Sequence, residues 1–343
     1  MGYQREYSSR VRIGVVGVGS HAYRNILPAL QYLPVQLVAV CDTQPGLAAV
    51  TAQQFGCRAF DDPHEMFESG ELDAVLLVVG PHAHPELALA AFEAGLHVWM
   101  EKPVAIRASE VEEMIARRGR QVAVVGFKKV FMPSAQKALE VIRSPQSGAL
   151  ESMLAVYPTE IPANGEKILR ERIRTDWLAN GCHPLSLLVA AGGKPSEVIT
   201  YRTSTGKGVC VIRFRSGVQA TFHLSSGPLP HEQYSFFSVD WHLQIENSLK
   251  VTLQRGIPFE YGVTANYVPP GDGHGAIVWE PQNTLSTLEN NSLVTQGIWG
   301  ELMYFLRCVL DGEVAETGSL EMALDVMRVY EASLLSDGSA IPI

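Results

Sequence analysis

The sequence contains no uninterrupted apolar stretch of about 18 residues, and its first ten residues, MGYQREYSSR, include no apolar core. The first absence argues against a membrane-spanning helix, and the second argues against a secretory signal peptide. The cysteines form no C-x-x-C pair and are widely spaced: Cys41, Cys57, Cys182, Cys210 and Cys308. An odd number of scattered cysteines is typical of reduced, mostly buried thiols. We therefore expect a cytoplasmic protein.

The sequence also contains no long cluster of basic residues. Arg117-Arg118 and Lys128-Lys129 are only pairs. The chain carries 36 acidic and 27 basic residues, for a net charge of −9. This balance disfavours binding to nucleic acid or to an anionic membrane surface, both of which need basic patches. The sequence shows no group of residues with metal-ligand spacing and no internal repeat. We expect a small-molecule partner and no metal.

The length and composition are those of an ordinary globular protein with more than one domain. The 343 residues are 46% hydrophobic and 18% charged. A domain usually holds about 100–200 residues, so two domains are expected. The pattern changes after Gly126, which predicts domains at 1–126 and 127–343.

A glycine-rich turn follows the first apolar run, VRIGVV at 11–16. The turn has the pattern G-x-G-x-x-A, in which Gly17 allows a tight turn and Gly19 lets the backbone approach a pyrophosphate. Ala22 is small enough for the next helix, expected at 23–33, to pack on the strand. The N-terminus of that helix would direct free N–H groups toward phosphates. The motif predicts a dinucleotide site that includes Gly17, Gly19, Ser20 and His21.

The second apolar run, at 35–41, ends in Asp42, about twenty residues beyond the turn. A carboxylate at this place binds the ribose 2′-hydroxyl of NAD and repels the 2′-phosphate of NADP. Thr43-Gln44 offers no cation to receive such a phosphate. We therefore expect NAD, with NADP the less favoured cofactor. A flavodoxin-like turn that binds no nucleotide is the alternative.

Strand-like and helix-like segments alternate up to Gly126. Strands are predicted at 11–16, 35–41, 58–60, 73–79, 97–100 and 122–125, and helices at 23–33, 47–55, 61–70, 86–94 and 109–118. This alternation is typical of a doubly wound parallel sheet. Ligands of such sheets bind beyond the carboxyl ends of the strands, which is where Asp42, Gly80 and Lys102 fall.

The second part of the chain reads as an antiparallel sheet with helices. Strands are predicted at 150–157, 197–203, 208–215, 218–225, 241–246 and 249–253, and helices at 131–142, 183–191, 299–310 and 320–335. Ser216-Gly217, between two alternating runs, predicts a hairpin turn. The region 260–291 is rich in proline, glycine and asparagine, so a long loop is expected there.

The block HPELALAAFEAGLHVWMEKP at 84–103 resembles the H-x-E-x-A-x-x-A-x-x-A-G-x-H-V-x-x-E-K-P signature of the Gfo/Idh/MocA family of NAD(P)-dependent oxidoreductases. The segments GFKKVFMP at 126–133 and RFRSGV at 213–218 are similar to the family's entry into its second domain and to its F-x-x-G hairpin. The resemblance implies an N-terminal Rossmann domain and a C-terminal α+β domain with a large open-faced, mostly antiparallel sheet. It also implies sugar, cyclitol or polyol substrates and a homodimer or homotetramer formed through that sheet.

The resemblance further implies roles for individual residues. Oxidation of a secondary alcohol needs a base for the hydroxyl proton, and reduction of the ketone needs an acid at the same place. The catalytic residues implied are Lys102, which would hydrogen-bond the reacting oxygen, and His183, the general acid/base. Cofactor contacts are expected from Gly80, Pro81, His84, Glu101 and Lys102, and substrate contacts from Lys128, Lys129, Tyr157, Asp176, Asn180 and His183. A structural role for His84 and simple solvation of the two neighbouring lysines are the alternatives.

The sequence departs from the family pattern at two places. The family segment D-x-G-x-H-x-x-D has Ala179 and Ser186 in place of its carboxylates, so the proton relay is either incomplete or rerouted through Asp176, Asn180 or water. The usual T-P-N after the fourth strand is replaced by Val79-Gly80-Pro81, which leaves only backbone contacts to the cofactor there.

We predict an NAD-dependent oxidoreductase that moves a hydride between nicotinamide and a secondary alcohol or ketone of a sugar, cyclitol or sugar-derived compound. One alternative is an NAD-dependent glycosidase that oxidises the sugar transiently and then reduces it again. The other is a non-catalytic dinucleotide sensor, which the replaced carboxylates at Ala179 and Ser186 motivate.

Overall fold

The computed structural model describes residues 7–227, 231–256, 275–281, 287–288 and 291–343. Its strands are β1 (Val11–Val16), β2 (Val35–Cys41), β3 (Arg58–Phe60), β4 (Ala74–Leu77), β5 (His97–Glu101), β6 (Ala123–Gly126), β7 (Ser152–Pro158), β8 (Pro195–Arg202), β9 (Gly208–Phe214), β10 (Gln219–Ser225), β11 (Gln233–Phe237), β12 (Trp241–Glu246), β13 (Lys250–Arg255), β14 (Gly275–Trp279) and β15 (Ile341–Pro342). Its helices are α1 (Leu27–Leu30), α2 (Pro45–Phe55), α3 (Pro63–Phe67), α4 (His84–Glu93), α5 (Ala108–Arg117), α6 (Lys128–Phe131), α7 (Pro133–Arg143), α8 (Gly165–Arg170), α9 (Cys182–Gly192), α10 (Ser292–Thr295), α11 (Ile298–Asp311) and α12 (Leu320–Leu335). The π-helical turns Ala22–Ile26 and Trp177–Gly181 lead into α1 and α9.

The first six strands form one parallel sheet in the order β3-β2-β1-β4-β5-β6. In β1, Arg12 is exposed and the other five residues are buried, because helices cover both faces of the sheet. This is the doubly wound sheet that the alternating segments predict. The strand order reverses between β1 and β4, and in such sheets a ligand binds in the crevice at that point.

Helices from distant parts of the sequence cover the first sheet. On one face, β1 packs in a single apolar cluster with α1 and with Ile298, Leu302 and Phe305 of α11. On the other face, α4 and α5 contribute Leu87 and Val111 to the larger cluster. The predicted domain boundary at 126/127 falls at the end of β6, yet α11 returns from beyond it to pack on the first sheet.

The second sheet has nine strands in the order β14-β13-β12-β11-β7-β10-β9-β8-β15. All neighbouring pairs are antiparallel except β7 and β10, which are parallel. Helices α7, α9 and α12 pack on the face that buries Ala220, Phe222 and Leu224. The hairpin at Ser216-Gly217 joins β9 to β10, with the Gly217 N–H donating to the Phe214 carbonyl at 3.0 Å.

The structure differs from the predicted elements in several places, and helices α8 and α10 and strand β15 are further elements that were not predicted. Strand β11 was not predicted, although its residues Gln233 to Phe236 alternate polar and apolar types; in the structure Tyr234, Ser235 and Phe236 are all buried. Strand β14 lies within the region expected to be a loop at 260–291, so that prediction is wrong for Gly275–Trp279; residues 260–274, 282–286 and 289–290 lie outside the described residues. The helix expected at 131–142 begins at Pro133 and ends at Arg143, because Met132 is extended before Pro133 and separates it from the short helix α6.

The expectations for the cysteines and for membrane-spanning helices can be compared with the described residues. All five cysteines lie in the described ranges, and none of them forms a disulfide. Burial raises the pKa of Cys41 and of Cys210 to about 12, so these thiols stay protonated at neutral pH. No helix within the described ranges is long and apolar enough to cross a bilayer.

Candidate functional site

The glycine-rich turn lies where the first sheet changes direction. Gly17 has φ +88°, and its N–H donates to the Cys41 carbonyl at 2.8 Å. A Cβ at Gly17 would lie 2.4 Å from the carbonyl oxygen of Val78, so no side chain fits there. A Cβ at Gly19 or at Gly80, by contrast, would meet no atom within 4 Å. The turn therefore leaves open space between the carboxyl ends of β1 and β4.

Asp42 is tied to this turn through both of its carboxylate oxygens. Oδ2 accepts a hydrogen bond from the Val18 N–H at 3.0 Å, and Oδ1 accepts one from the Gln44 N–H at 2.9 Å. These bonds fix the carboxylate beside the backbone of the glycine turn. Each oxygen keeps a second lone pair for a further donor.

The helix that begins at the turn connects to the end of β5. Ser20 is exposed, and His21 uses Nε2 to contact Oε1 of Glu101 at 2.6 Å. The Asn25 amide contacts the other ring nitrogen at 3.1 Å, and the Lys102 N–H donates to Oε2 of Glu101 at 3.1 Å. His21 and Glu101 thus form one polar unit across the mouth of the sheet.

Lys102 reaches from the first sheet to the second part of the chain. Its Nζ donates to the carbonyl oxygen of Ala179 at 3.1 Å. Ala179 belongs to the π-helical turn before α9, so its backbone oxygen receives Lys102 where the family pattern has an aspartate. The contact brings the Glu101-Lys102-Pro103 element against the segment that carries His183.

His183 stands in the first turn of α9 and is 6% exposed. Its Nδ1 has no hydrogen-bond partner among the described residues. Burial lowers the pKa of His183 well below its usual range, and the cations of Lys102, Lys128 and Lys129 lower it further. The imidazole is therefore neutral at neutral pH and can accept a proton. The Ser186 hydroxyl donates to the His183 carbonyl at 2.7 Å and does not support the ring.

The neighbouring lysines of α6 have different surroundings. Lys129 forms a buried ion pair with Glu232, and its Nζ also donates to the Ser248 hydroxyl at 2.9 Å. The Tyr234 hydroxyl donates to the same carboxylate at 2.9 Å. Lys128 instead donates to the side-chain oxygen of Gln296 at 3.3 Å. Burial and the Lys129 cation lower the pKa of Lys128.

The remaining residues expected at the substrate lie near the same turn. Asp176 accepts hydrogen bonds from the Asn180 amide and, at 3.3 Å, from the Thr159 hydroxyl. Asp176 and Asn180 are both exposed. The ring of Tyr157 lies 6.0 Å from Nζ of Lys129, and burial raises the pKa of Tyr157. These side chains form a polar rim around the α9 N-terminus.

Two residues expected at the cofactor are buried. Pro81 is covered, and His84 has no exposed surface. The neutral His84 ring donates from Nδ1 to the Pro103 carbonyl at 3.0 Å, and burial lowers its pKa. His84 therefore holds the segment after β5 through this hydrogen bond.

Sequence reasoning missed two acidic residues at this site, Glu232 and Glu301. Glu301 is 1% exposed, and burial raises the pKa of its carboxyl well above its usual range. A signal was present, because Glu301 falls on the apolar face of its helix, between Ile298 and Phe305, which are both buried. Glu232 lies in a polar stretch with no periodicity to mark it.

Residues 11–144 match the GFO_IDH_MocA family model, described as "Oxidoreductase family, NAD-binding Rossmann fold". An inositol 2-dehydrogenase 2 from Saccharopolyspora erythraea is 32% identical over 44% of this chain and 48% of its own. A dTDP-3,4-didehydro-2,6-dideoxy-alpha-D-glucose 3-reductase from Saccharopolyspora spinosa is 30% identical over 43% of this chain and 45% of its own.

The match to these curated relatives spans less than half of their length. A solved structure with nearly full coverage is that of a dehydrogenase from Chromobacterium violaceum. It has a TM-score of 0.79 and 21% identity, and the match covers 96% of both chains. At 21% identity the similarity shows only that the two chains share a fold, and the match extends over both sheets.

Proposed function

Because residues 11–144 match the model of the Gfo/Idh/MocA oxidoreductase family, with its NAD-binding Rossmann fold, we propose that this chain is an NAD-dependent dehydrogenase or reductase of that family. The substrate is a secondary alcohol or ketone of a sugar, cyclitol or sugar-derived compound. One observation carries the proposal. The Lys102 ammonium of the first domain is joined to the turn before a neutral, buried His183 whose Nδ1 has no described partner.

The residues at the carboxyl ends of β1, β2, β4 and β5 fit a dinucleotide. Gly19 and Gly80 leave room where a side chain would project, and the helix after the turn presents its N-terminus there. The pyrophosphate would lie on the turn that contains Gly17, Gly19 and Ser20. Asp42 would receive the ribose hydroxyls, and Glu101 with His21 would line the nicotinamide end.

When bound, the nicotinamide ring supplies the acceptor or donor of the hydride. Side chains of the protein transfer the proton. In the oxidation direction, the Lys102 ammonium donates a hydrogen bond to the reacting oxygen and stabilises the negative charge that develops on it. The neutral His183 imidazole accepts the hydroxyl proton. In the reduction direction, His183 takes up a proton from water and passes it to the oxygen.

The cofactor preference follows from Asp42. Its carboxylate is held beside the glycine turn by Val18 and Gln44. It would accept from a ribose 2′-hydroxyl and repel a 2′-phosphate. We propose NAD on this basis, and we expect Asp42→Ser to lower the ratio of NAD to NADP affinity at least tenfold.

The substrate would lie between Lys102, His183 and the polar rim. Lys128 is the better candidate of the two α6 lysines for a substrate oxygen, because Lys129 is already paired with Glu232. Asn180 and Asp176 offer a donor and an acceptor for neighbouring hydroxyl groups. The sugar and inositol names of the two relatives support a polyhydroxylated substrate.

We further propose association into a homodimer or homotetramer through the second sheet. Helices α7, α9 and α12 pack on one of its faces. The other face carries side chains such as Gln219, Thr221 and His223, on which no described helix packs. Light scattering coupled to gel filtration measures the mass of the assembly.

The first experiment is a thermal-shift screen with NAD, NADH, NADP and NADPH. Absorbance of the reduced nicotinamide is then followed with a panel of inositols, sugars and nucleotide sugars. We expect stabilisation by NAD or NADH, and turnover that falls at least 100-fold in Lys102→Ala and His183→Asn. Exposed Lys167→Ala is the matched control and should leave turnover unchanged.

The outcomes separate the alternatives. Dinucleotide binding without turnover on any substrate would favour a sensor. Cleavage of aryl glycosides without net NADH formation would favour a glycosidase with transient redox chemistry. Stabilisation by NADPH and not by NADH would overturn the role given to Asp42.

A further inference from the structure

Glu301 is a buried carboxyl at the mouth of the first sheet that the proposed proton transfer does not use. It lies in the first turn of α11, which packs on β1, β5 and β6. Its Oε1 lies 3.3 Å from the position that a Cβ would take at Gly126, the last residue of β6. Gly126 is in register with Glu101 at the end of β5. Glu301 therefore stands beside the strand ends that carry Glu101 and Lys102.

The surroundings of Glu301 combine one carboxyl with two ammonium groups. Glu101 and Lys102 face it from the end of β5, and Lys128 faces it from α6. The other elements packed on α11 bring no further unpaired charge to the N-terminal end of this helix. Strand β6 and helix α10 contain no ionisable side chain, and Arg12 of β1 is paired with Asp73. The charges around Glu301 thus come from residues already assigned to the site.

Despite these ammonium groups, Glu301 makes no ion pair within the described part of the chain. No carboxylate there lies within 4.0 Å of the Nζ of Lys102 or of Lys128, and Oε2 of Glu301 has no hydrogen-bond partner. A buried carboxylate without a partner is costly, whereas a buried neutral acid is much less so. Burial and the nearby Glu101 charge both favour the protonated form.

We propose that Glu301 is a positioning residue that works as a neutral carboxylic acid. By keeping its proton, it leaves the Lys102 and Lys128 ammonium groups without an internal counter-ion and free for substrate oxygens. As a carboxylate it would attract both ammonium groups away from the substrate. The positioning role rests on the proposed dehydrogenase function, but the protonation of Glu301 does not.

The protonation is tested without turnover. Infrared spectra of protein labelled with ¹³C at the glutamate carboxyl should show the carbonyl band of a protonated acid at pH 7, which Glu301→Gln removes. The control Glu313→Gln, at an exposed residue just after the same helix, should leave the band in place. Absence of the band from the wild-type protein at pH 7 overturns the proposal.

Thermal unfolding gives a second, independent readout. The folded protein keeps a proton that the unfolded chain releases above the ordinary carboxyl pKa, so stability falls as pH rises until Glu301 itself ionises. Tm of the wild-type protein should therefore drop relative to Glu301→Gln by roughly 2 °C per pH unit between pH 5 and 7. A constant difference overturns the proposal. If Glu301→Gln does not fold, the infrared titration of the wild-type protein decides alone.

The positioning role is tested by measuring the pH profile of kcat/KM with a known substrate. The wild-type profile should decline at alkaline pH as Glu301 ionises, and Glu301→Gln should shift that decline to higher pH. Superimposable profiles overturn the positioning role even if the infrared band is present. Lack of turnover by every variant, with the band present, counts against the dehydrogenase function and leaves the protonation of Glu301 standing.

Discussion

Arg107 Nε lies 2.7 Å from Oε1 of Glu331, and the same oxygen accepts the Ala108 N–H at 2.8 Å. Arg107 also donates from Nη1 to the Leu169 carbonyl at 3.0 Å. One guanidinium at the start of α5 therefore joins the first sheet domain to α12 and to α8. Both side chains are mostly covered, since Arg107 is 30% and Glu331 is 19% exposed.

Removing this contact should destabilise the protein. We expect Arg107→Ala to lower the free energy of unfolding by about 2–3 kcal/mol, because the variant leaves a partly buried carboxylate without its cation and the Leu169 carbonyl without its donor. Urea unfolding followed by tryptophan fluorescence measures the change. The control is Arg328→Ala, which breaks the exposed pair with Glu112 and should cost less than about 1 kcal/mol. Equal effects of the two variants would contradict this account.

Substitutions at Gly17 and at Gly19 should affect stability and cofactor binding differently. Gly17→Ala puts a Cβ 2.4 Å from the Val78 carbonyl at a positive φ, so it should cost about 1–3 kcal/mol of stability and also weaken binding. Gly19→Ala meets open space, so it should fold with wild-type stability. Its methyl group would still occupy the space assigned to the pyrophosphate, and NAD affinity should fall tenfold or more. Calorimetric titration with NAD and urea unfolding of both variants test the separation.

The two lysines of α6 should respond differently to the same substitution. Lys129→Met leaves Glu232 buried without its cation, which should cost about 3–5 kcal/mol of stability. Lys128→Met removes a cation whose described partner is the neutral Gln296, so stability should change by less than about 1 kcal/mol. If Lys128 binds a substrate oxygen, KM should rise in Lys128→Met while NAD affinity is retained. Unchanged KM would remove Lys128 from the substrate site.

The buried histidines predict a loss of stability in mild acid. Burial lowers the pKa of both His84 and His183, so the folded protein keeps both rings neutral. The unfolded chain takes up protons with a pKa near 6.5. Because the unfolded state then binds more protons, the free energy of unfolding falls as pH drops below about 6.5, by up to about 1.4 kcal/mol per pH unit for each ring.

Unfolding curves of His84→Asn and His183→Asn between pH 8 and 5 measure this dependence. Each variant should show a shallower decline with falling pH than the wild-type protein, since it lacks one of the two neutral rings. Exposed His64→Asn is the matched control and should keep the wild-type slope. Identical slopes for all four proteins would mean that neither buried ring carries the pH dependence.

The first domain could be predicted well from the sequence because its signals are local. Strands such as β1 are continuous β-branched runs, and the turn at Gly17 requires glycine for a steric reason that the motif itself expresses. The position of Asp42 beside that turn also follows from the strand order. Local pattern and tertiary arrangement agree in this part of the chain.

The site was harder to predict because it depends on contacts between distant segments. The sequence gives no means to distinguish Lys128 from Lys129, since the difference arises from Glu232, more than 100 residues away. The role of Glu301 depends likewise on a helix that returns to the first sheet. Strand β11 was missed although Gln233 to Phe236 alternate polar and apolar residues, because an alternating run of only four residues is a weak strand signal.

The return of α11 to the first sheet also bears on how the protein is made. The apolar side of β1 that Ile298, Leu302 and Phe305 cover is synthesised almost 300 residues before those side chains exist. A nascent chain that has just completed β6 therefore holds a sheet with one face covered only in part, by α1 and the π-helical turn before it. Residues 1–126 expressed alone should aggregate or recruit chaperones, and fusion of 291–311 to that fragment should restore its solubility.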